Sequence, residues 1–388
     1  MRTGILDWLI LGGGVHGTHL SHVLTTARGV PADRIRVLDR ESAPLANFWR
    51  SIDATGMTYL RSPSVHHIDL EPYSLLRFAR KEGRRLGGFV PPYDRPRVTL
   101  FRGHCEHVVR RYGLAELRVA SETTSIAAHE WGYRVDTSEG PLETRRLVLA
   151  VGAADALEIP VWARDKTAAW HVFHRDFSRH EVGSAARVAI VGGGISAAQL
   201  ALALLRAGAQ PILIARHPIR EHRFDSDPEW LGPKAMRGFA QAANAARRTM
   251  IERARHRGSM PPELRRAIQR SIRAGRLRWI DAEVATIDEG AEGIGLSLDR
   301  SPHWVTVDHV ALATGFRPVR PGGRLLDAAI ENLGLPCAAC GYPVVRDTLE
   351  WRRHLYVSGA LAELEVGPTA RNIAGARVAG ERMARVAR

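Results

Sequence analysis

"VAIVGGGISAAQLA", residues 188–201, repeats in mid-chain a phrase already used near the start, "DWLILGGGVHGTHL", residues 7–20. In the earlier copy the apolar run Trp8-Leu9-Ile10-Leu11 enters Gly12-x-Gly14-x-x-Gly17, and a helix-forming stretch, residues 18–27, follows without a breaker. That order predicts a strand, a tight turn and a helix. Gly12 allows the turn, Gly14 leaves room for a pyrophosphate against the backbone, and Gly17 lets helix and strand pack closely. The helix N-terminus adds unpaired N–H groups and a positive dipole end.

A second apolar strand, residues 35–38, closes with Asp39, 22 positions past Gly17. An acid there accepts hydrogen bonds from an adenosine ribose and repels a 2′-phosphate, so the first site suits FAD or NAD. The later copy differs at the same point. Val188-Ala189-Ile190-Val191 leads into Gly192-x-Gly194-x-x-Ala197, with Ala in the third glycine's place, and the next strand, residues 212–215, ends in Arg216-His217 with Arg220 close behind. Cations there pair with a 2′-phosphate, which predicts NADPH. The expected fold class is α/β, with two Rossmann-like dinucleotide-binding domains.

Composition agrees with an ordinary globular chain: 388 residues, 45% hydrophobic and 25% charged, enough for two or three cores. The apolar run at residues 8–11 is too short to cross a bilayer, so no membrane insertion is expected. Three cysteines make no disulfide framework, and a reducing cytoplasm is expected. The net charge of +14 rests on arginine, since only Lys81, Lys166 and Lys234 are lysines. Pairs such as Arg110-Arg111, Arg247-Arg248 and Arg265-Arg266 are scattered rather than tracted, which argues against nucleic-acid binding.

The elements between the motifs suggest one domain set inside the other. Helical patterns cover residues 73–81 and 98–112, and short strands follow at 117–120, 131–135 and 147–151. An arginine-rich helical region spans 235–275, then strands at 277–280, 294–298, 305–313 and 355–358, and a closing helix over 369–386. The divisions drawn are 1–158 for the first part of the first dinucleotide-binding domain (the FAD or NAD site), 159–302 for the NAD(P)H-binding domain, and 303–388 for the second part of the first domain.

Several passages resemble the class B flavoprotein monooxygenases, most closely the lysine and ornithine N-hydroxylases. "HVFHRDF" (171–177) resembles their His-containing linker, "RFDSDPEWLGPKAMRGF" (223–239) their aspartate-rich stretch, "ALATGFRP" (311–318) their Ala-Thr-Gly turn, and "MTYLRSPSVHHIDLEPYSLLRFA" (57–79) the segment passing the flavin ring. The resemblance implies FAD in the first site and NADPH in the second, reduced flavin capturing O2 as a C4a-hydroperoxyflavin, and oxygenation of a soft nucleophile: an amine, by N-hydroxylation, or a thioether. It makes Arg61 and Ser62 catalytic candidates, Met57 a flavin neighbour, and Thr314 and Gly315 cofactor-binding residues. The implied partners are a small-molecule substrate and O2; a homo-oligomer is compatible with it.

Arg371 and Asn372, in "GPTARNIAGA" (367–376), are read as setting a helix N-terminus at the flavin pyrimidine, which makes Asn372 a third catalytic candidate, with an ordinary helix cap as the alternative. Cys337-x-x-Cys340 raises a rival, a flavin-dependent NADPH reductase of disulfides or quinones without oxygen insertion; structural thiols are the expectation. A zinc site would need ligands such as Cys105, His104 and His107, and no metal is expected. The paired histidines His66 and His67 are expected at the surface or as caps.

Overall fold

A computed structural model describes residues 4–83, 87–290 and 293–386 and holds one mainly parallel sheet for each glycine turn. In the first sheet the strand order is Glu350–Arg352, Leu355–Val357, Leu142–Leu149, Leu6–Leu11, Ile35–Asp39 and Arg118–Ala120, with the hairpin Thr123–His129/Gly132–Thr137 added beside Leu142–Leu149. Leu9 pairs in parallel with Arg36 on one side and Leu147 on the other. Strands covered on both faces read as unbroken apolar runs, which is why residues 8–11 and 147–149 show no alternation.

The second sheet is parallel throughout, in the order Arg278–Asp281, Gln210–Ala215, Arg187–Val191, His309–Leu312, Ala169–His171. Its side chains alternate between two cores. Val188, Ile190 and Leu213 join Leu200, Leu204 and Ile268 on one face. Ala189, Ile212, Ile214 and Leu312 join Val284, Leu296 and Val307 on the other, where a three-stranded antiparallel meander covers the sheet.

The chain is thus α/β with two Rossmann-like units, the second inserted in the first. The boundary expected at 302 falls inside the strand Ser301–Val307, and His309–Leu312 still pairs with Arg187–Val191. The chain rejoins the first sheet only at Glu350–Arg352 and Leu355–Val357. The one strand expected over 305–313 is two, broken at Asp308, whose carboxylate accepts the Arg187 backbone N–H at 2.7 Å and its Nη2 at 2.6 Å. The helical region expected over 235–275 is three helices, Pro233–Gln241, Asn244–Ala254 and Pro262–Arg273. Proline explains the last start: Pro261 stays extended ahead of Pro262, which takes the first helical position. The closing helix starts at Ile373, after an extended Asn372, not at 369.

Several contacts lock the units together, among them two at helix ends. Gly56 ends the helix Ala46–Thr55 in the left-handed conformation, and a Cβ there would lie 2.5 Å from the Ala203 methyl on helix Ile195–Arg206. Arg95, 1% exposed, reaches Glu263 in the first turn of Pro262–Arg273. Removing Glu263 strands a buried guanidinium, whereas removing Arg95 leaves a carboxylate that water can reach. Glu263→Ala is therefore expected to cost about 3–5 kcal/mol in urea unfolding, and Arg95→Met, which keeps most of the volume, clearly less. Equal losses would contradict the buried-charge account.

Candidate functional site

The first glycine turn is built as its spacing predicts. Gly12 has φ +106, and a Cβ there would meet the Ala150 carbonyl oxygen at 2.3 Å; one on Gly17 would meet the Gly12 oxygen at 1.8 Å. A Cβ on Gly14 would meet nothing within 4 Å, so a cradle lies open at the N-terminus of helix Val15–His22, which carries no side-chain cap. Asp39 accepts the Gly13 N–H at 2.5 Å and the Glu41 N–H at 2.9 Å, fixing its carboxylate beside the turn. This donor set fits the pyrophosphate and ribose of a dinucleotide.

Inside this turn His16 supplies a link that sequence reading missed. Its Nδ1 is 2.8 Å from Ser358 Oγ, its ring lies 3.7 Å from the place a Cβ on Gly359 would take, and it meets the backbone of Arg371 and Asn372. Burial pushes its imidazole down to about 4, so it is neutral at pH 7. The glycine turn and the start of helix Ile373–Ala384 are thereby brought together. Asn372 caps that helix through its backbone alone, and Arg371 turns away, donating to Glu363 at 2.7 Å and to the Tyr342 hydroxyl at 2.9 Å. Glu363 is 1% exposed; burial pushes its carboxyl up, but Arg371 and Arg248 outweigh this and hold it below the ordinary range.

The segment 57–79 runs beside this site, held by a buried polar chain. His22 Nε2 lies 3.3 Å from Asp69, the Ser74 hydroxyl donates to Asp69 at 2.5 Å, and Ser74 meets His104 Nε2 at 2.8 Å. His67, expected at the surface or as a cap, is fully buried and packs edge-on against His104. Met57 packs against the main core. Arg61 is differently engaged from the expectation: Nε and Nη2 donate to the carbonyls of His222, Arg223 and Phe224 and to Ser259 Oγ, so it clamps the 220–260 region. Ser62 is half-buried beside it.

The second turn repeats the construction. A Cβ on Gly192 would meet the Ala313 oxygen at 2.4 Å, as Gly12 meets Ala150. Thr314 donates to the Glu158 carbonyl at 2.5 Å, and Gly315, with φ +84, gives its carbonyl to His171 Nε2 at 3.0 Å. The Ala-Thr-Gly turn and the linker histidine therefore brace each other. Ala197 is buried, its methyl accommodated where Gly17 has no room. Arg216 is 76% exposed, 3.6 Å from Glu283, and Arg220 is exposed too. The cradle itself is covered: a Cβ on Gly194 would lie 3.4 Å from the Gly258 Cα, and one on Gly193 would lie 2.9 Å from the His217 ring. The cations fit a 2′-phosphate, but no pyrophosphate fits between Gly194 and Gly258 as they stand.

The family model for pyridine nucleotide-disulphide oxidoreductases matches residues 9–381. The chain belongs to that family. No curated protein matches it. Among solved structures it is similar to the Pseudomonas aeruginosa ornithine hydroxylase (19% identity, TM-score 0.77, 99% of this chain and 98% of that one). It is likewise similar to the Kutzneria sp. 744 ornithine N-hydroxylase with reduced FAD, NADP+ and L-ornithine (19%, 0.79, 99% of each chain). The Staphylococcus aureus bacillithiol disulfide reductase shares the fold less closely (16%, 0.66, 98% and 97%).

Four buried histidines of this oxidoreductase, His19, His67, His104 and His171, are held neutral, with a consequence for acid stability. Burial pushes His67 and His171 down to about 4 and His19 and His104 to about 3. Between pH 6.5 and these values the unfolded chain binds more protons than the folded one, so stability is full above pH 6.5 and falls as pH drops toward 4. The urea midpoint is expected to decline across that window, less steeply in His104→Gln. A flat profile would show these imidazoles to be protonated in the folded state.

Proposed function

We propose that this oxidoreductase is an FAD- and NADPH-dependent monooxygenase that oxygenates a soft nucleophile, an amine or a thioether. The observation that carries the reading is the asymmetry of two like-built turns, an acid beside Gly12–Gly14 and exposed cations beside Gly192–Gly194, in a fold shared with ornithine hydroxylases over nearly the whole of both chains. FAD, when bound, supplies hydride acceptance and oxygen activation. Gly14 and the start of helix Val15–His22 would hold its pyrophosphate, Asp39 its ribose, and the N-terminus of Ile373–Ala384 would offer a positive dipole end to the ring. Neutral His16 fixes the spacing between these parts.

NADPH binding at the second turn requires Gly258 to leave Gly194, while Arg216, His217 and Arg220 favour a 2′-phosphate. The disulfide-reductase reading draws less support. Cys337 and Cys340 are exposed free thiols on a turn closed by the Cys337–Pro343 bridge, and partial desolvation by its neighbours pushes the Cys337 thiol up, away from the reactive thiolate.

Oxygen uptake with NADPH across a panel of terminal amines and thioethers tests the reading; hydroxylated or S-oxygenated product formed with O2 consumption is expected. NADPH oxidation that needs a disulfide or quinone and no O2 would establish the reductase instead. Gly14→Val is expected to purify folded without flavin, since the new side chain fills the open cradle. Arg216→Ala is expected to lower the NADPH over NADH preference by roughly 10- to 100-fold, the worth of one charge-assisted bond. Equal rates with both nucleotides in the unmutated enzyme would remove the basis for that assignment.

A further inference from the structure

The middle glycine of the first turn is explained by a side chain from another strand. Arg118 begins the strand Arg118–Ala120, and its Nη1 lies 1.2 Å from where a Cβ on Gly13 would stand. Its side chain is only 4% exposed. Nη2 donates to the Glu41 carbonyl at 2.7 Å and the Ala43 carbonyl at 3.3 Å, and lies 3.9 Å from Asp39 Oδ1. Nε and Nη1 are buried and have no acceptor. A guanidinium deprived of water at these donors carries a standing desolvation cost unless another acceptor reaches them.

Two surroundings restrict what that acceptor is. The guanidinium lies against the turn that would carry a pyrophosphate, over Gly13, and beside the acid that would carry a ribose. Asp39 is already tied to Gly13 and Glu41, leaving Arg118 the cation without a full partner at this end of the sheet.

We propose that Arg118 binds the adenosine diphosphate half of the dinucleotide in the first site, donating from Nε and Nη1 to its ribose or phosphate oxygens. This rests on the reading of the first turn as the FAD site and assigns that site a cation absent from the glycine fingerprint. Gly13 is then glycine for the arginine's sake, not the turn's: the turn needs Gly12, and the phosphate needs Gly14.

The test uses full-length protein stripped of flavin, with Arg118→Ala, Arg118→Lys and Gly13→Ala, the last displacing the guanidinium without deleting it. FAD and ADP affinities are measured by calorimetry, FMN affinity as the control, and folding by circular dichroism. FAD and ADP affinities are expected to fall roughly 10- to 100-fold in Arg118→Ala and Gly13→Ala. FMN affinity should change less than about threefold, and Arg118→Lys should recover part of the loss. A folded variant with unchanged ADP affinity but a lower melting temperature would make Arg118 a brace for residues 41–43 and overturn the proposal. Should Arg118→Ala not fold, Gly13→Ala and Arg118→Lys carry the same comparison. Unmutated protein that binds neither FAD nor ADP would overturn the first-site reading and the proposal with it, a result separable from a defect confined to the variants.

Discussion

At both glycine-rich turns the first glycine is pressed onto the carbonyl just past a neighbouring strand end, and both sites depend on it. Leu6–Leu11 and Leu142–Leu149 run parallel in a register that pairs Leu11 with Leu149, so the chain leaving Leu11 turns directly over Ala150. Any Cβ at Gly12 would overlap the Ala150 oxygen. The register of Val191 with Leu312 puts Gly192 over Ala313 in the same way. Only this closeness aims the following helix at the space above the strand ends, where a parallel sheet receives ligands. The third position shows how much latitude remains. Gly17 is jammed against Gly12, whereas the helix beginning at Ile195 stands far enough away to accept the Ala197 methyl.

The two units differ in what lies over these turns. The first is open at Gly14, while the second is roofed by Gly258, and Gly258 is positioned by groups outside its own unit. Arg61 grips the carbonyls of residues 222–224 and Ser259 Oγ from the first unit, and Arg95 reaches Glu263 at the next helix. The second cradle is therefore coupled to the segment passing the first. Uncovering Gly194 strains the contacts that Arg61 makes to this region.

Local chemistry made much of this legible from sequence. The glycine turns, their strands and the opposite charges at Asp39 and Arg216 each lie within one short stretch, and periodicity or spacing exposes them. Residues whose meaning comes from a distant partner stayed hidden. His16 bonds Ser358 across 342 positions, and Gly13 is explained only by Arg118. Arg61 illustrates the reverse case. A basic residue in a segment matched to a flavin-lining stretch reads as a functional group, yet its donors go to backbone carbonyls that sequence cannot place beside it. The long helical region at 235–275 failed for a local reason, since arginine-rich composition favours helix throughout and hides the extended break at 242–243 and the turn and short strand within 255–261.

The same carbonyl chemistry accounts for the preference of arginine over lysine better than attraction of anions does. Arg377 donates to the carbonyls of His67, Asp69 and Leu70, holding the segment beside the site from the last helix. Arg247 gathers the carbonyls of Ala240, Ala242 and Leu364, and Arg352 caps the helix Gly323–Leu333 through the Leu333 oxygen. Irregular backbone that is buried must find donors for its carbonyls, and a planar guanidinium offers five at fixed angles where an ammonium offers three on a flexible stem. A fold with a long irregular passage at 57–73 and another at 216–232 has many such carbonyls. Part of the +14 charge is thus structural, spent inside the molecule on backbone oxygens. Arg118 stands out against this background because two of its nitrogens have found no carbonyl at all.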